Sequence, residues 1–199
     1  MIIKIYSQNS DQRRIDQVVE ILRNDGVIIY PTDSVYAYGC SLSSSKAIER
    51  IRAIRGKKCE ELTVACADLS QVASYARVGN EEFRILKRNL PGPFTFILAA
   101  GSKMPAKALE KRKTVGVRIP GHPVARQIIR ALGSPMITAS VRNEEQEYTT
   151  DPELIDELYG SLVDAVIDGG YGHQTPTALV DLSGDEVKVL REGPREMVL

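Results

Sequence analysis

Short apolar runs alternate with segments of helical spacing along almost the whole chain, and that alternation confines the fold to the α/β class. The runs VIIY (27–30), LTVACA (62–67), FTFILAA (94–100), VGVRI (115–119), MITAS (136–140) and VDAVID (163–168) read as buried strands. Between them lie helices with their own punctuation. Ile15, Val18, Val19 and Leu22 recur at helical spacing over residues 11–25, with Ser10 available as N-cap and Gly26 as the stop. A serine-capped helix closes at Gly56, another runs from Asn80 to Leu90 and halts at PGP, and Pro105 opens a short one. Pro123–Leu132 starts on a proline and ends at Gly133; Asp151 and Pro152 cap and start a helix that reaches Tyr159. TALVDL and VKVLRE pair across SGDE as a hairpin. The expectation is a single domain over residues 1–199, α/β, with roughly seven strands in a mixed sheet.

With 43% hydrophobic residues over 199 positions, the chain can bury a substantial core. No apolar run approaches membrane-spanning length, and MIIKIYSQNSDQRR is too short and polar for a signal peptide, so a cytoplasmic protein is expected. Cys40, Cys59 and Cys66 include no CxxC and have only His122 and His173 for company, which points to free thiols and to no metal held by protein side chains. The zero net charge hides a segregation. Residues 50–130 carry 17 Lys and Arg against 6 Asp and Glu, while residues 131–199 carry 4 against 14. A basic middle third suits an anionic partner such as nucleotide phosphates or RNA; mutual neutralisation of the two halves is the alternative.

Standard nucleotide and hydrolase signatures are missing. There is no GxxxxGK[ST], GGYGH does not meet GxGxxG, and GxSxG is absent, which argues against a P-loop, a dinucleotide fold and a protein nucleophile. Instead, strand ends finish in hydroxyl or cationic side chains, where α/β sheets bind ligands. Thr32, Asp33 and Ser34 follow VIIYP, Arg118 closes VGVRIP, Ser140 closes MITAS and Arg191 closes VKVLRE. RAIRGKK adds Arg52, Arg55, Lys57 and Lys58 at a helix C-terminus, more cations than one helix end needs. The polar stretch RNEEQEYTTD (142–151) reads as a mobile flap beside a site.

In order, YPTDSVYAYGC, AIERIRAIRGKK, PGPFTFIL, VGVRIPGHP, MITAS, PTALVDL and VLREG resemble the YrdC-like family of threonylcarbamoyl-adenylate synthases from about Gly26 to Gly193, with details closest to the YciO branch. The resemblance implies a YrdC-like fold with a positively charged concave cleft. It also implies a reaction in which L-threonine, bicarbonate and ATP, with Mg²⁺, give threonylcarbamoyl-AMP and pyrophosphate for modification of adenosine in tRNA. By motif, Thr32 and Tyr36 would wall the amino-acid end, and Arg55 and Lys57 stand where the family writes the charges of KGR. Arg118, Ser140, Thr177 and Arg191 match family positions in the nucleotide site. Double-stranded RNA or tRNA would lie on a patch of Arg52, Lys58, Lys111, Arg112 and Lys113.

The departures are specific. Arg142 stands where the family has an asparagine, unless Asn143 substitutes through a one-residue shift, and Cys66 replaces a histidine. Ala37 and Tyr38 replace a glycine and a leucine, implying a narrower, more polar rim. His122 matches a common family feature and equally suits a structural turn. Beside the synthase stand two alternatives: a nucleotide- or double-stranded-RNA-binding protein without efficient synthase activity, and one that hydrolyses threonylcarbamoyl-AMP.

Overall fold

The computed structural model describes residues 1–6, 11–56, 62–109 and 111–199. Ten strands, β1 (Ile2–Lys4), β2 (Ile28–Tyr30), β3 (Ala37–Ser41), β4 (Thr63–Ala65), β5 (Phe94–Ala99), β6 (Thr114–Arg118), β7 (Met136–Ser140), β8 (Ala165–Asp168), β9 (Ala178–Asp181) and β10 (Lys188–Arg191), form one continuous sheet. The helices are α1 (Gln12–Arg23), α2 (Ser45–Arg55), α3 (Leu69–Tyr75), α4 (Asn80–Asn89), α5 (Ala106–Leu109), α6 (Pro123–Leu132), α7 (Glu147–Thr150) and α8 (Pro152–Tyr159). Strand order is β1-β8-β2-β3-β7-β4-β6-β5-β9-β10, with parallel and antiparallel neighbours mixed as the terminal hairpin suggests. No helix among the described residues is long and apolar enough to cross a membrane.

Several helix boundaries follow their local chemistry. Ser44 Oγ accepts the Ala47 amide at the start of α2, and Gly56 closes it; Pro123 opens α6 and Gly133, at φ 76°, ends it in the left-handed region. The cap of α1 is Asp11, whose carboxylate accepts the Arg13 amide, and not Ser10, which lies outside the described residues.

The strand total exceeds the sequence expectation because β1 is only three residues long and β3 carries little apolar pattern. AYGCS becomes a strand because β2 and β7 pair with it on both sides, and all five of its residues are buried. Part of the segment 142–151 is helical and packed: α7 occupies 147–150, Thr149 and Thr150 are buried, and the Tyr36 amide donates to the Thr149 carbonyl at 3.1 Å.

The two faces of the sheet are covered differently. On one, Ile48 and Ile51 of α2, Val72 of α3, Ile85 and Leu86 of α4 and Ile155 of α8 share a core with Val64, Phe94, Phe96, Val117 and Val180. On the other, α1 and α6 pack against each other and against Ile28, Tyr30 and Ile167. Strand side chains alternate between faces, so Thr63, Thr95, Gly116, Thr138 and Leu179 turn away from the first core. A cross-strand row runs Thr138, Thr63, Gly116, Ile97 over β7, β4, β6 and β5. This threonine-rich half of the second face is where the site lies.

Candidate anion-binding site

A cavity of about 470 Å³ stands on that row, within the size range of small-molecule sites. Gly116 keeps its floor low, since a Cβ there would come within 2.7 Å of the Thr63 methyl and 3.3 Å of the Thr95 methyl. Thr95 and Thr177 share a buried hydroxyl–hydroxyl hydrogen bond of 3.0 Å, and the buried Tyr30 hydroxyl donates to Thr138 Oγ1 at 3.0 Å. These contacts lock side chains that have few rotamers to begin with.

Arginines supply the walls. Arg55 from the end of α2, Arg112 before β6, Arg118 at the end of β6, Arg142 after β7 and Arg191 at the end of β10 all line the cavity, and no carboxylate does among the described residues. Arg118 is nearly sealed from solvent, with its side chain 4% exposed, and donates through Nη2 to Asp33 Oδ1 at 2.7 Å. Asp33 is held in turn by the Gly121 amide at 3.1 Å. Burying a guanidinium is costly without a counter-charge, so Asp33 is what allows Arg118 to sit at the cavity wall. Arg191 donates Nε–H to the Thr177 carbonyl at 3.0 Å. The buried Nε atoms of Arg55 and Arg118 meet no acceptor among the described residues, which leaves two charged donors for an acceptor such as an oxyanion.

Of the residues expected to bind substrate and ATP, the structure gathers Arg55, Arg118, Ser140, Arg142, Thr177 and Arg191 around one cavity. Lys57 lies outside the described residues. Thr32 and Tyr36 do not line the cavity. Thr32 Oγ1 donates to the Val35 carbonyl at 2.8 Å and accepts the Ser34 amide at 3.1 Å, so it fixes the turn that delivers Val35 to the wall. Tyr36 is buried; its hydroxyl donates to the Gly170 carbonyl at 2.7 Å and accepts the Gly169 amide at 3.2 Å. That bolts down the loop carrying Gln174 and Pro176 to the cavity. Burial pushes the Tyr36 phenol well above its ordinary pKa and keeps it a neutral donor.

Arg112, expected on an RNA patch, faces both this cavity and a shallower groove shared with Arg52, Lys107, Lys111 and Glu49. Glu49 is 3.6 Å from Arg52 and 3.1 Å from Lys107 inside that groove. Lys113 is exposed and does not line it, and Lys58 lies outside the described residues.

The departures resolve in structural terms. Asn143 lines the cavity, yet its amide is committed: Nδ2 donates to the Tyr159 hydroxyl at 2.9 Å and Oδ1 accepts the Glu145 amide at 2.9 Å. Tyr38 is not a rim residue but a core one, edge-on to Tyr159 with centroids 6.2 Å apart. His122 sits at the N-cap of α6 without a side-chain capping bond, and burial lowers its pKa against the opposing pull of Asp33.

Sequence reasoning missed the threonine floor and the Asp33–Arg118 pair. The floor had a readable signal, a threonine set between apolar residues in each of LTV, FTF and ITA. The pair joins positions 85 apart in sequence and had none.

Residues 20–193 match the Sua5/YciO/YrdC family, which carries the description "Telomere recombination". The chain belongs to this family. Within it, the uncharacterized protein YciO of Escherichia coli strain K12 is 45% identical over 192 residues, 95% of this chain and 93% of that protein. The crystal structure of E. coli YciO superposes with a TM-score of 0.92 at 43% identity, covering 98% of this chain and 97% of the other. P. abyssi Sua5, solved in complex with L-threonine, shares the fold at a TM-score of 0.89 and 24% identity, over 97% of this chain and 57% of that longer one. The Sua5/YciO/YrdC fold expected from the motifs is therefore the fold observed.

Cys66, at the position of a family histidine, is fully buried in the core beneath the sheet and does not line the cavity. Burial pushes the Cys40 and Cys66 thiols up to about 12 from 9.0. A buried neutral thiol is a packing group, not a nucleophile. The folded state therefore holds these protons where the unfolded chain releases them. Stability is unaffected below about pH 9 and falls as pH rises toward 12, by about 1.4 kcal/mol per thiol at pH 10. Urea unfolding at pH 7.5 and 10 is expected to show that drop, reduced in a Cys40→Ala, Cys66→Ala variant; an identical drop in the variant would remove the thiols as its cause.

Proposed function

We propose that the cavity binds an adenylate and that the chain makes threonylcarbamoyl-AMP from L-threonine, bicarbonate and ATP, releasing pyrophosphate and water. The observation that carries this reading is the convergence of five arginines, without a described carboxylate, on a cavity floored by threonines. Membership of the Sua5/YciO/YrdC family and the L-threonine bound by the Sua5 relative support it.

The chemistry needs no protein nucleophile. The threonine nitrogen takes up bicarbonate carbon with loss of water, a carbamate oxygen attacks the α-phosphorus, and the bond to pyrophosphate breaks. The chain's task is to align these groups and to stabilise negative charge on the phosphoryl oxygens and the leaving group. Arg118 is preorganised by Asp33 and Arg191 by the Thr177 carbonyl, so neither must be repositioned as charge develops. Ser140 and Thr177 add hydroxyl donors at the wall. Among the described residues there is no cluster of three metal-ligating side chains. Magnesium belongs to the triphosphate that brings it.

Incubation with ATP, L-threonine and bicarbonate is expected to release pyrophosphate and threonylcarbamoyl-AMP, with a rate roughly a hundred-fold lower in a Ser140→Ala, Arg191→Ala variant. Wild-type product no greater than that of the variant would overturn the assignment. Double-stranded RNA binding is the weaker reading, since Glu49 inside the cationic groove is ion-paired to two of its cations and would repel phosphates.

A further inference from the structure

We propose that residues 193–199 form a strap that positions Arg191 in the cavity, with Asn89 and Arg195 as its anchors; the proposal rests on the anion-binding reading of that cavity. Strand β10 has little of its own to hold it. It ends the sheet and, among the described residues, pairs with β9 alone, and Lys188, Val189 and Leu190 are exposed. Its register shifts between Val189 and Arg191, which sets Arg191 opposite Leu179 on the cavity face.

Beyond β10 the chain passes around the sheet margin and fastens to the opposite, apolar face. Gly193 lies against the backbone of Ala178. The Arg195 guanidinium stacks over Phe94 at 4.8 Å from the ring centroid and donates to the Asn89 carbonyl. Met197 packs on the core that contains Phe94. The Asn89 side chain is 1% exposed and pairs with Val198 as a strand would: Nδ2 donates to the Val198 carbonyl at 2.7 Å, and Oδ1 accepts the Val198 amide at 2.9 Å.

The margin of the sheet is thus gripped from both sides. Phe94, under Arg195, begins β5, which pairs with β9 through Phe94 and Ala178. On the cavity side, Thr95 is bonded to Thr177, whose carbonyl receives Arg191. Asn89 and Arg195 do not line the cavity and act as positioning residues through the strap. Without it, β10 would keep its ladder to β9 and the bond from Arg191 to the Thr177 carbonyl but lose its anchor on the apolar face, so more of the ordering of Arg191 would fall to the ligand.

The test reads the position of Arg191 without nucleotide. In the full chain, hydrogen exchange of the Arg191 Nε proton and of the 188–191 amides is followed by NMR for wild type, Arg195→Ala and Asn89→Ala. Exchange is expected to rise about five-fold in Arg195→Ala, from loss of a surface cation–π contact and a hydrogen bond, and about ten-fold or more in Asn89→Ala. Amides of β7 should be unaffected. AMP affinity, measured by calorimetry, should fall in the same order. Arg195 is exposed, so its variant folds even if removal of buried Asn89 proves too disruptive. Unchanged Arg191 Nε exchange in Arg195→Ala would overturn the strap, as would faster exchange with undiminished AMP affinity. If wild type binds no AMP, the nucleotide reading fails, and the Nε exchange still decides the strap.

Discussion

Replacing Asp33 by alanine is expected to destabilise the protein by roughly 3 kcal/mol or more, because it leaves the Arg118 guanidinium buried without its counter-charge. The two side chains are 15% and 4% exposed and meet at 2.7 Å, so solvent screens the pair little. The same substitution also strips the Gly121 amide of its acceptor. In a chain of this length such a loss corresponds to a fall in unfolding midpoint on the order of 10 °C. A second variant sets a stricter test. Removing both charges, with Arg118→Leu filling the volume, should be less damaging than Asp33→Ala alone, since an unpaired buried charge costs more than none. Thermal unfolding of the two variants side by side decides this. If the double variant melts below Asp33→Ala, Arg118 is held by something other than the carboxylate. Asp33 follows directly on Thr32 in YPTDS, and this acidic residue does not line the cavity but holds Arg118 of β6, which does.

Elements with local punctuation were legible in the sequence. Ser44 and Gly56 bracket α2, Pro123 and Gly133 bracket α6, and the structure keeps both pairs. What escaped was structure enforced from outside the segment. AYGCS has no strong strand pattern and is a strand because β2 and β7 flank it; LSQVASY offers little apolar periodicity, with Val72 its one buried residue, yet forms α3 behind an Asp68 cap. The site divides in the same way. Arg118, Ser140 and Arg191 end strands, which marked them as candidates, but β6 and β7 run in opposite directions on either side of β4, so Arg118 and Ser140 close strands on opposite sides of the row and share a cavity only because it spans the face. The turn hydroxyl of Thr32 and the loop anchor of Tyr36 have the same residue types as binding groups. Only three-dimensional placement separates those roles. Arg112 shows the converse, since a residue from a basic run reached the cavity because the connection between α5 and β6 returns to its rim.

Gly193→Ala should strike both stability and the site, for a reason absent from the residue's own conformation. A Cβ at this position would lie 2.3 Å from the Ala178 amide nitrogen and 2.8 Å from its Cα. Those are backbone atoms of a strand paired with β5, so they cannot yield as a side-chain tip would. The added methyl must instead push β10 and the following segment away from β9, at a cost on the order of 3 kcal/mol if the sheet resists. Relief comes at the least buried strand, so the displacement should fall on Arg191 and its bond to the Thr177 carbonyl. Gly193→Ala is therefore expected to weaken AMP binding at least as much as Arg191→Ala, roughly ten-fold, while also lowering the unfolding midpoint, which Arg191→Ala should barely move. Calorimetric titration and thermal unfolding of both variants separate the outcomes. Wild-type affinity in Gly193→Ala would mean that β10 can shift without carrying Arg191 out of the cavity, and that the glycine of LREG serves packing alone.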